Sequence, residues 1–573
     1  MQQILPLGSD RNQMDNPDRR FDLDYPEAEL VFGLAYAVGT DYQPVLDYLK
    51  DFIKLSGYTT TNLRISDWFN ECGELMGEDL QLSDGNEYER ISSRIKAGNQ
   101  IRKATGRTDI FALVAASKIF TMRSSDSGEN PSAHQRRANI IVSLKRPEEV
   151  ESLRKIYGPG FFLIGIFADE QQRKKFLTCR KGLDDTQAAN LIKIDEKEKD
   201  DLNGQRTRDT FQMADLFVGL ANKEEYETGL ERFLKLVFGD PFSTPSKDEH
   251  AMFLAYAASL RSADLARQVG ASLACAEGDV ISLGCNDVPS PGGGLYCHDD
   301  QERDHRDYKA GKDQNDAKKE QIIDDILLAF SKVIDSNKTP FDGSTKDEML
   351  KDARPLLRET LVSDITEFGR SVHAEMDALM AAGRNGVSFR NATLYTTTFP
   401  CHTCTRHIIA AGVKRVVYIE PYPKSLATQL HEDAITISSE RKPGDNRIPF
   451  EPFLGIGPRR FFDLFSLRLS SGYTVERKQN GVKVDWEYRK NAKPRVPMIP
   501  ISYIEREQLI QQTLVSVYSA NKEMKQNAPI TGTTDQRREV LGTPAGDRTA
   551  SRKVARMEDR KSDDSIASGN ELS

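Results

Sequence analysis

Residues 369–412 read GRSVHAEMDALMAAGRNGVSFRNATLYTTTFPCHTCTRHIIAAG. This stretch contains an H-x-E motif, formed by His373 and Glu375, and a P-C-x-x-C motif, formed by Cys401 and Cys404. One imidazole and two thiolates leave one of the four positions of a tetrahedral zinc ion open for water, which is typical of catalytic rather than structural zinc sites. The stretch therefore predicts a catalytic Zn²⁺ site with His373, Cys401 and Cys404 as its ligands.

Glu375 lies two residues after the histidine, so it can face the open zinc position without being a ligand. Zinc lowers the pKa of a bound water to about 7. A carboxylate beside that water can take its proton and return it to a ring nitrogen and a leaving amine. H-x-E together with P-C-x-x-C is the motif pair of zinc-dependent deaminases, which favours hydrolytic deamination with Glu375 as the proton carrier. A structural zinc knuckle, or reduced cysteines packed as small apolar residues, is the alternative.

The composition indicates a soluble protein of two or three domains. The chain has 573 residues, and no apolar run in it approaches the roughly 20 residues needed to cross a bilayer. The N-terminus lacks the apolar core of a signal peptide, so we expect a cytoplasmic protein without a membrane partner. The net charge of −8 argues against a general nucleic-acid coat and favours free nucleotides as substrates. Seven cysteines are too sparse for a disulfide framework.

The first half of the chain has the pattern of an α/β domain. Residues 1–25 are polar and predict a flexible leader, after which strands and helices alternate over residues 26–240. The predicted strands lie near residues 30–38, 59–66, 138–144 and 161–168, and the predicted helices near residues 42–55, 88–104, 110–120, 146–157 and 169–179. The turn after the first strand departs from a P-loop, because Tyr42 and Gln43 stand where the pattern needs Lys and Ser or Thr. We expect a degenerate P-loop whose nucleotide binding is lost or altered.

The second half predicts another α/β domain, over residues 245–490. A helix over Asp248–Ser259 precedes two strands, the helix after His373, a strand, the helix containing Cys404 and a further strand. Residues 290–368 form a charged insertion. Residues 491–573 predict a C-terminal extension, largely disordered from about residue 522.

A second metal site is a further alternative in this half. The residues that offer it are Cys285, Cys297, His298 and His305. Their spacing matches no strong ligand pattern, so packing or surface placement is favoured over metal binding.

Five segments carry a resemblance to a known family. They are RSADLARQVGASL, LGCNDVP, HAEMDAL, TTTFPCHTC and VKRVVYIEPYPKS, which lie between about residues 261 and 431. This part of the chain resembles the deoxycytidylate deaminases of the cytidine deaminase superfamily. The whole chain is similar to the two-domain bacterial antiphage deaminases of the AvcD type, which join a P-loop kinase-like α/β domain to a cytidine deaminase-like α/β/α domain.

The resemblance implies a fold, an activity and site residues. It implies conversion of dCMP or dCTP to the uridine nucleotide with release of ammonia, in antiphage defence by nucleotide depletion. It implies zinc ligation by His373, Cys401 and Cys404, proton transfer by Glu375 and a substrate contact by Asn286. It also implies that the protein forms homo-oligomers.

Two other functions stay open from the sequence. The same motifs occur in deaminases that act on single-stranded DNA or tRNA. The insertion's Arg303, Arg306, Lys309 and Lys312 are interspersed with Asp, which weakens the case for a polynucleotide substrate. Alternatively, the first domain binds a regulatory nucleotide or RNA and the deaminase is only the output.

Overall fold

A computed structural model describes residues 27–127, 132–198, 201–337, 346–360, 362, 365, 367–421, 425–437, 444–468 and 473–526. The leader predicted for residues 1–25 lies outside these ranges, as does most of the tail predicted to be disordered. No described helix has both the length and the apolar character that crossing a membrane requires.

The described strands form two six-stranded sheets and one short hairpin. The strands are β1 Leu30–Tyr36, β2 Thr59–Arg64, β3 Arg137–Leu144, β4 Phe161–Phe167, β5 Leu216–Gly219, β6 Gly270–Ala274, β7 Val280–Cys285, β8 Thr393–Thr398, β9 Arg415–Glu420, β10 Ile435–Ile437, β11 Ile448–Pro452, β12 Gly455–Ile456, β13 Lys478–Gln479 and β14 Val482–Lys483.

The α-helices of the described residues range from one turn to seven turns. They are α1 Gln43–Lys54, α2 Phe69–Met76, α3 Glu87–Thr105, α4 Ile110–Ser127, α5 Pro147–Tyr157, α6 Glu170–Cys179, α7 Asp185–Lys197, α8 Thr207–Phe211, α9 Lys223–Val237, α10 Lys247–Ser259, α11 Asp307–Ala310, α12 Gln314–Asn337, α13 Lys346–Arg358, α14 Ala374–Arg384, α15 His402–Ala410, α16 Ala427–Leu430, α17 Phe461–Phe465, α18 Tyr488–Asn491 and α19 Pro500–Gln526.

The first sheet has the strand order β12–β5–β4–β1–β3–β2. The five strands from β5 to β2 run parallel, whereas β12 runs antiparallel to β5. Strands β1 to β4 and helices α1 and α3 to α6 lie where the sequence predicted them. The predicted α/β class is confirmed, while the assignment of this part to a P-loop kinase-like domain stays a prediction.

The central strand β1 is buried along its whole length because helices cover both faces of the sheet. Phe32 and Leu34 pack in a hydrophobic cluster with α1 and α9. Val31 and Ala35, which point the other way, pack in a second cluster with α4 and α5. This alternation explains why the strand reads as a continuous apolar run in the sequence.

The second sheet has the order β10–β11–β9–β8–β6–β7. Strands β10, β11, β9 and β8 run parallel, and β6 is antiparallel to both of its neighbours. The hairpin between β6 and β7 turns at Gly278, with the backbone at φ +95°. On one face Ser272 donates to the Ala251 carbonyl of α10, and on the other Ala271 and Leu273 pack with α14. The helices that follow His373 and Cys401 therefore pack on one face of this sheet.

The buried carboxylate of Glu249 links elements that pack on the two sheets. Glu249, in the first turn of α10, is only 1% exposed. It accepts hydrogen bonds from the Ser246 amide at 2.7 Å, from Arg232 of α9 at 2.8 Å and from the Ile456 amide of β12 at 2.8 Å. Because α9 packs on the first sheet and α10 on the second, this carboxylate ties elements of both layers together.

Helix α19 returns to the first sheet and packs on α4, α2 and α5. Arg123 of α4 is fully buried between the carboxylates of Glu29 and Glu507, which are also fully buried. The Tyr157 hydroxyl donates to Glu507 at 2.9 Å, and the Tyr503 hydroxyl donates to Glu29 at 2.8 Å. The sequence pattern predicted only a C-terminal extension for residues 491–573, and this helix was not expected there.

We expect Glu507→Gln to lower the stability of the protein by about 1.5 to 3 kcal/mol, because it removes a buried charge-assisted hydrogen bond to Arg123. Glu505→Gln on the exposed side of the same helix is the matched control, and we expect it to change stability by less than about 0.5 kcal/mol. The measurement is urea unfolding of both variants beside the wild type. Equal stability of the two variants would contradict the importance assigned to this buried network.

Candidate active site

The three predicted ligands come together at the starts of two helices. His373 immediately precedes α14 and Cys401 immediately precedes α15, so each occupies a helix N-cap position. Cys404 lies in the first turn of α15, and its amide donates to the Cys401 sulfur at 3.5 Å. The N-terminal ends of helices favour negative charge, so the start of α15 stabilises the thiolate form of Cys401 and Cys404.

The geometry of the three ligand atoms fits a tetrahedral zinc ion. The Nδ1 atom of His373 lies 3.3 Å from the Cys404 sulfur and 3.4 Å from the Cys401 sulfur. Zinc with a Zn–N distance of about 2.0 Å and Zn–S distances of about 2.3 Å separates nitrogen from sulfur by about 3.5 Å in tetrahedral geometry. Among the described residues, this is the only group of three or more His, Cys, Asp and Glu side chains placed to share a metal ion.

The electrostatics of the cluster favour a thiolate. Hydrogen bonding from Cys404 and then from His373 lowers the pKa of Cys401 to about 3. Hydrogen bonding with Cys401 raises the pKa of His373 to about 9. The thiolate is the form of cysteine that coordinates metals, so Cys401 is prepared for ligation.

Glu375 lies beside this ligand set in a buried position. It is only 4% exposed, and the Cys404 sulfur lies 3.5 Å from its Oε2 atom. Burial raises the pKa of its carboxyl group. A raised pKa makes a carboxyl group better matched to receiving and releasing protons near neutral pH.

Two features of β7 set the position of α14 and hence of His373 and Glu375. A side chain at Gly284 would bring its Cβ within 2.2 Å of the Ala374 carbonyl oxygen, so only glycine lets the helix approach this closely. Buried Asp377 of α14 accepts a hydrogen bond from the Cys285 amide at 3.2 Å. Sequence reasoning missed Asp377, although its place in HAEMDAL, four residues after the ligand, puts it one helical turn along.

Both polar atoms of the Asn286 side chain form hydrogen bonds within the protein. Its Oδ1 accepts from the Val269 amide at 2.6 Å, and its Nδ2 donates to the Arg267 carbonyl at 2.8 Å. Asn286 is 7% exposed and directly follows β7. These bonds hold the segment that leads into β6, and the substrate contact that the resemblance implies for Asn286 stays a prediction.

The insertion is anchored close to His373, a predicted metal ligand. Arg306 pairs with Asp304 at 2.8 Å and with Asp287 at 3.5 Å. The Val372 amide, next to His373, donates to the Asp287 carbonyl at 2.9 Å. The basic side chain of Arg306 is thus neutralised by buried carboxylates rather than offered to a polynucleotide.

The second metal site suggested by the sequence does not form among the described residues. Cys285 is buried at the end of β7, whereas Cys297 and His298 are exposed. His305 packs edge-on against the Tyr296 ring, with 6.0 Å between the ring centroids. These side chains share no cluster with metal-ligating geometry in the described part of the chain.

Residues 245–420 match the family model described as "Cytidine and deoxycytidylate deaminase zinc-binding region". This range includes β6 to β9 and every residue of the cluster around His373. Residues 245–420 therefore resemble a cytidine and deoxycytidylate deaminase domain.

Known deaminases resemble short parts of the chain. The deoxycytidylate deaminase of enterobacteria phage T4 is 44% identical over 54 residues, which are 9% of this chain and 28% of the phage protein. The deoxycytidylate deaminase of Saccharomyces cerevisiae is 49% identical over 51 residues, which are 9% of this chain and 16% of the yeast protein. The chain thus matches well under half the length of either relative.

A solved structure adds only a weak likeness. The dCMP deaminase of cyanophage S-TIM5, in complex with dCMP and dUMP, is 19% identical, with a TM-score of 0.20 over 37% of this chain and 99% of the phage chain. With a TM-score this low, the likeness has no further bearing on this chain.

We expect the purified protein to carry about one zinc ion per chain, and Cys404→Ala to lose it, because three ligands are too few to spare one. Cys297→Ser is the matched control, since this exposed cysteine lies outside the cluster. The measurement is elemental analysis by mass spectrometry after dialysis. Equal zinc in the two variants would refute the ligand assignment.

We expect Asn286→Ala to lower stability by about 1 to 3 kcal/mol, because two backbone groups lose their hydrogen-bond partners. Thermal or urea unfolding measures this loss without substrate. A variant with unchanged stability and a raised KM would instead assign Asn286 to substrate contact alone.

Proposed function

We propose that this protein is a zinc-dependent hydrolytic deaminase of deoxycytidine nucleotides. The observation that carries the proposal is the buried Glu375 carboxyl group beside a His373, Cys401 and Cys404 cluster with tetrahedral spacing. The match of residues 245–420 to the deaminase family model supports the same chemistry.

The reaction replaces the exocyclic amine of cytosine by oxygen. A zinc ion held by the three ligands would lower the pKa of a water molecule and so supply the nucleophile. Glu375 takes a proton from that water at its carboxylate and delivers it to the N3 atom of the ring as the water oxygen bonds to C4. It then moves the second proton to the amine, the C4–N bond breaks, and ammonia leaves with a uracil ring as product.

The surroundings of Glu375 suit this proton transfer. Burial disfavours the charged form of Glu375 and so raises the pKa of its carboxyl group. A higher pKa lets this group both accept a proton from water and donate it to the substrate. Its contact with Cys404 keeps it against the ligand set, and Asp377 two residues later fixes the helix that carries it.

Deoxycytidine nucleotides are the proposed substrates because the similar phage and yeast proteins are named deoxycytidylate deaminases. The choice between dCMP and dCTP depends on groups that contact the phosphates. The anchored insertion, in which Arg306 pairs with Asp287, is a candidate wall of that subsite.

We expect purified protein to convert dCMP, dCTP or both to the uridine nucleotide, and Glu375→Gln to lower the rate by about 10² to 10⁴ while retaining zinc. The assay incubates dCMP, dCTP, CMP, CTP, dAMP and a cytosine-containing single-stranded oligonucleotide in parallel, with products separated by chromatography. Zinc retention in the variant separates loss of the proton carrier from loss of the metal.

Product from the oligonucleotide alone would overturn the proposal in favour of a polynucleotide deaminase. No product from a zinc-loaded wild-type protein with any substrate would contradict the proposal for the protein as isolated.

We further propose that the activity serves antiphage defence by depleting deoxycytidine nucleotides, and that the protein acts as a homo-oligomer. The support is the resemblance to the AvcD type of two-domain deaminase. In cells challenged with phage, the same Glu375→Gln variant should lose protection if the chemistry is the cause. Protection that survives this substitution would separate defence from deamination.

A further inference from the structure

Three residues lead directly into His373, and other parts of the chain hold each of them. We call Arg370, Ser371 and Val372 the entry segment. His373 lies just before α14 in an extended conformation, with φ −71° and ψ 153°. The helix therefore holds its backbone from the C-terminal side only. The contacts of the entry segment set how the chain reaches His373 from the other side.

Arg370 and Ser371 bind two different parts of the chain. The Arg370 guanidinium donates to the His305 carbonyl at 3.0 Å and to the Asp307 carboxylate at 2.8 Å, both in the insertion. The Ser371 hydroxyl donates to the Asp264 carboxylate at 2.7 Å, in the loop between α10 and β6. The entry segment therefore runs between the insertion and this loop.

Val372 pairs with the backbone of Asp287, which lies two residues after β7. The Val372 amide donates to the Asp287 carbonyl at 2.9 Å, and the two residues form an isolated antiparallel bridge. Because α14 packs on β7, this bridge joins the end of the strand to the residues just before the helix.

The carboxylate of Asp287 joins the loop and the insertion to each other. It is only 2% exposed. One of its oxygens accepts the Val288 amide at 2.8 Å, and the other accepts the Ala263 amide of the loop before β6 at 3.0 Å. This second oxygen also lies 3.5 Å from Arg306 of the insertion. Asp287 therefore links the loop, the insertion and, through its carbonyl, the entry segment.

Arg306 has a partner other than Asp287. It donates two hydrogen bonds to the Asp304 carboxylate, at 3.0 and 2.8 Å. Loss of the Asp287 carboxylate leaves this pair intact, so this part of the insertion keeps its own contacts. What is lost is the link between the two parts of the chain that flank the entry segment.

We propose that Asp287 is a positioning residue for His373. Its carboxylate holds the loop and the insertion together, and its carbonyl holds Val372, so the imidazole is presented to a metal in one orientation. Contacts outside the ligand set orient metal ligands and tune metal affinity in this way. The inference rests on the proposed function, in which His373 is a zinc ligand. It makes the insertion part of the support of the site.

The test compares zinc affinity in Asp287→Asn and in the wild type, by competition with a chelator on the full-length protein. Asparagine keeps the volume of the side chain, but it has one oxygen and no charge. It cannot accept the Val288 and Ala263 amides on separate oxygens. We expect zinc to bind about 10- to 100-fold more weakly. Asp299→Asn, at an exposed carboxylate of the same insertion, is the matched control and should leave zinc affinity unchanged.

Two further measurements separate positioning from a general loss of stability. The visible absorption bands of the cobalt(II)-loaded protein respond to ligand geometry, and they should shift in Asp287→Asn but not in Asp299→Asn. Hydrogen–deuterium exchange of residues 368–375 in the metal-free protein should be faster in Asp287→Asn. The exchange measurement needs no zinc. A wild type that binds no zinc would therefore refute the proposed function, while the hold of Asp287 on the entry segment is still measured.

Arg306→Lys tests the same link from the side of the insertion. Lysine keeps a charge beside Asp304, but its single nitrogen cannot also reach Asp287 as the guanidinium does. We expect weaker zinc binding in this variant too, by about tenfold. Its zinc affinity is the deciding measurement if Asp287→Asn does not fold.

Two results would overturn the proposal. The first is zinc affinity and exchange that are both unchanged in Asp287→Asn, or, if that variant does not fold, zinc affinity that is unchanged in Arg306→Lys. The second is a lower melting temperature of Asp287→Asn with the zinc affinity and the cobalt spectrum of the wild type, which would leave Asp287 a structural role alone.

Discussion

The buried carboxylate of Glu249 fixes α10 against elements of both sheets. It caps α10, pairs with Arg232 of α9 and accepts the Ile456 amide of β12. A buried carboxylate with several charge-assisted bonds is stable, but the removal of one partner leaves a costly unpaired charge. The position of α10, and hence of the sheet behind the candidate active site, is therefore tied to the first sheet.

The second sheet positions the candidate active site through the elements that directly adjoin it. Strand β8 ends just before Cys401, and α14 lies on β7 at Gly284, where no side chain keeps the two elements apart. The starts of α14 and α15 then meet, with the His373 and Cys401 side chains facing each other. Glu375 needs no separate support, because the same helical turn that places His373 buries it.

The sequence predicted those features that depend on residues close together in the chain. The strand and helix from Leu30 to Lys54 carry their own periodicity, and the ligands near His373 and Cys401 have spacing that only a few types of site use. The two-residue strand β12 has no periodicity to detect, and it depends on β5 and on Glu249, 207 residues away from Ile456. The bonds of Asn286 and the role of Asp377 likewise depend on backbone groups that sequence alone does not locate.

The return of α19 to the first sheet has a consequence for the order of folding during synthesis. Arg123 is made 384 residues before Glu507, and Glu29 is made 474 residues before Tyr503. The ribosome therefore releases β6 to β9, with the H-x-E and P-C-x-x-C motifs, while the first sheet still lacks α19 and its edge strand β12. Domains usually fold in the order in which they are made, but here the earlier layer is the last to be completed.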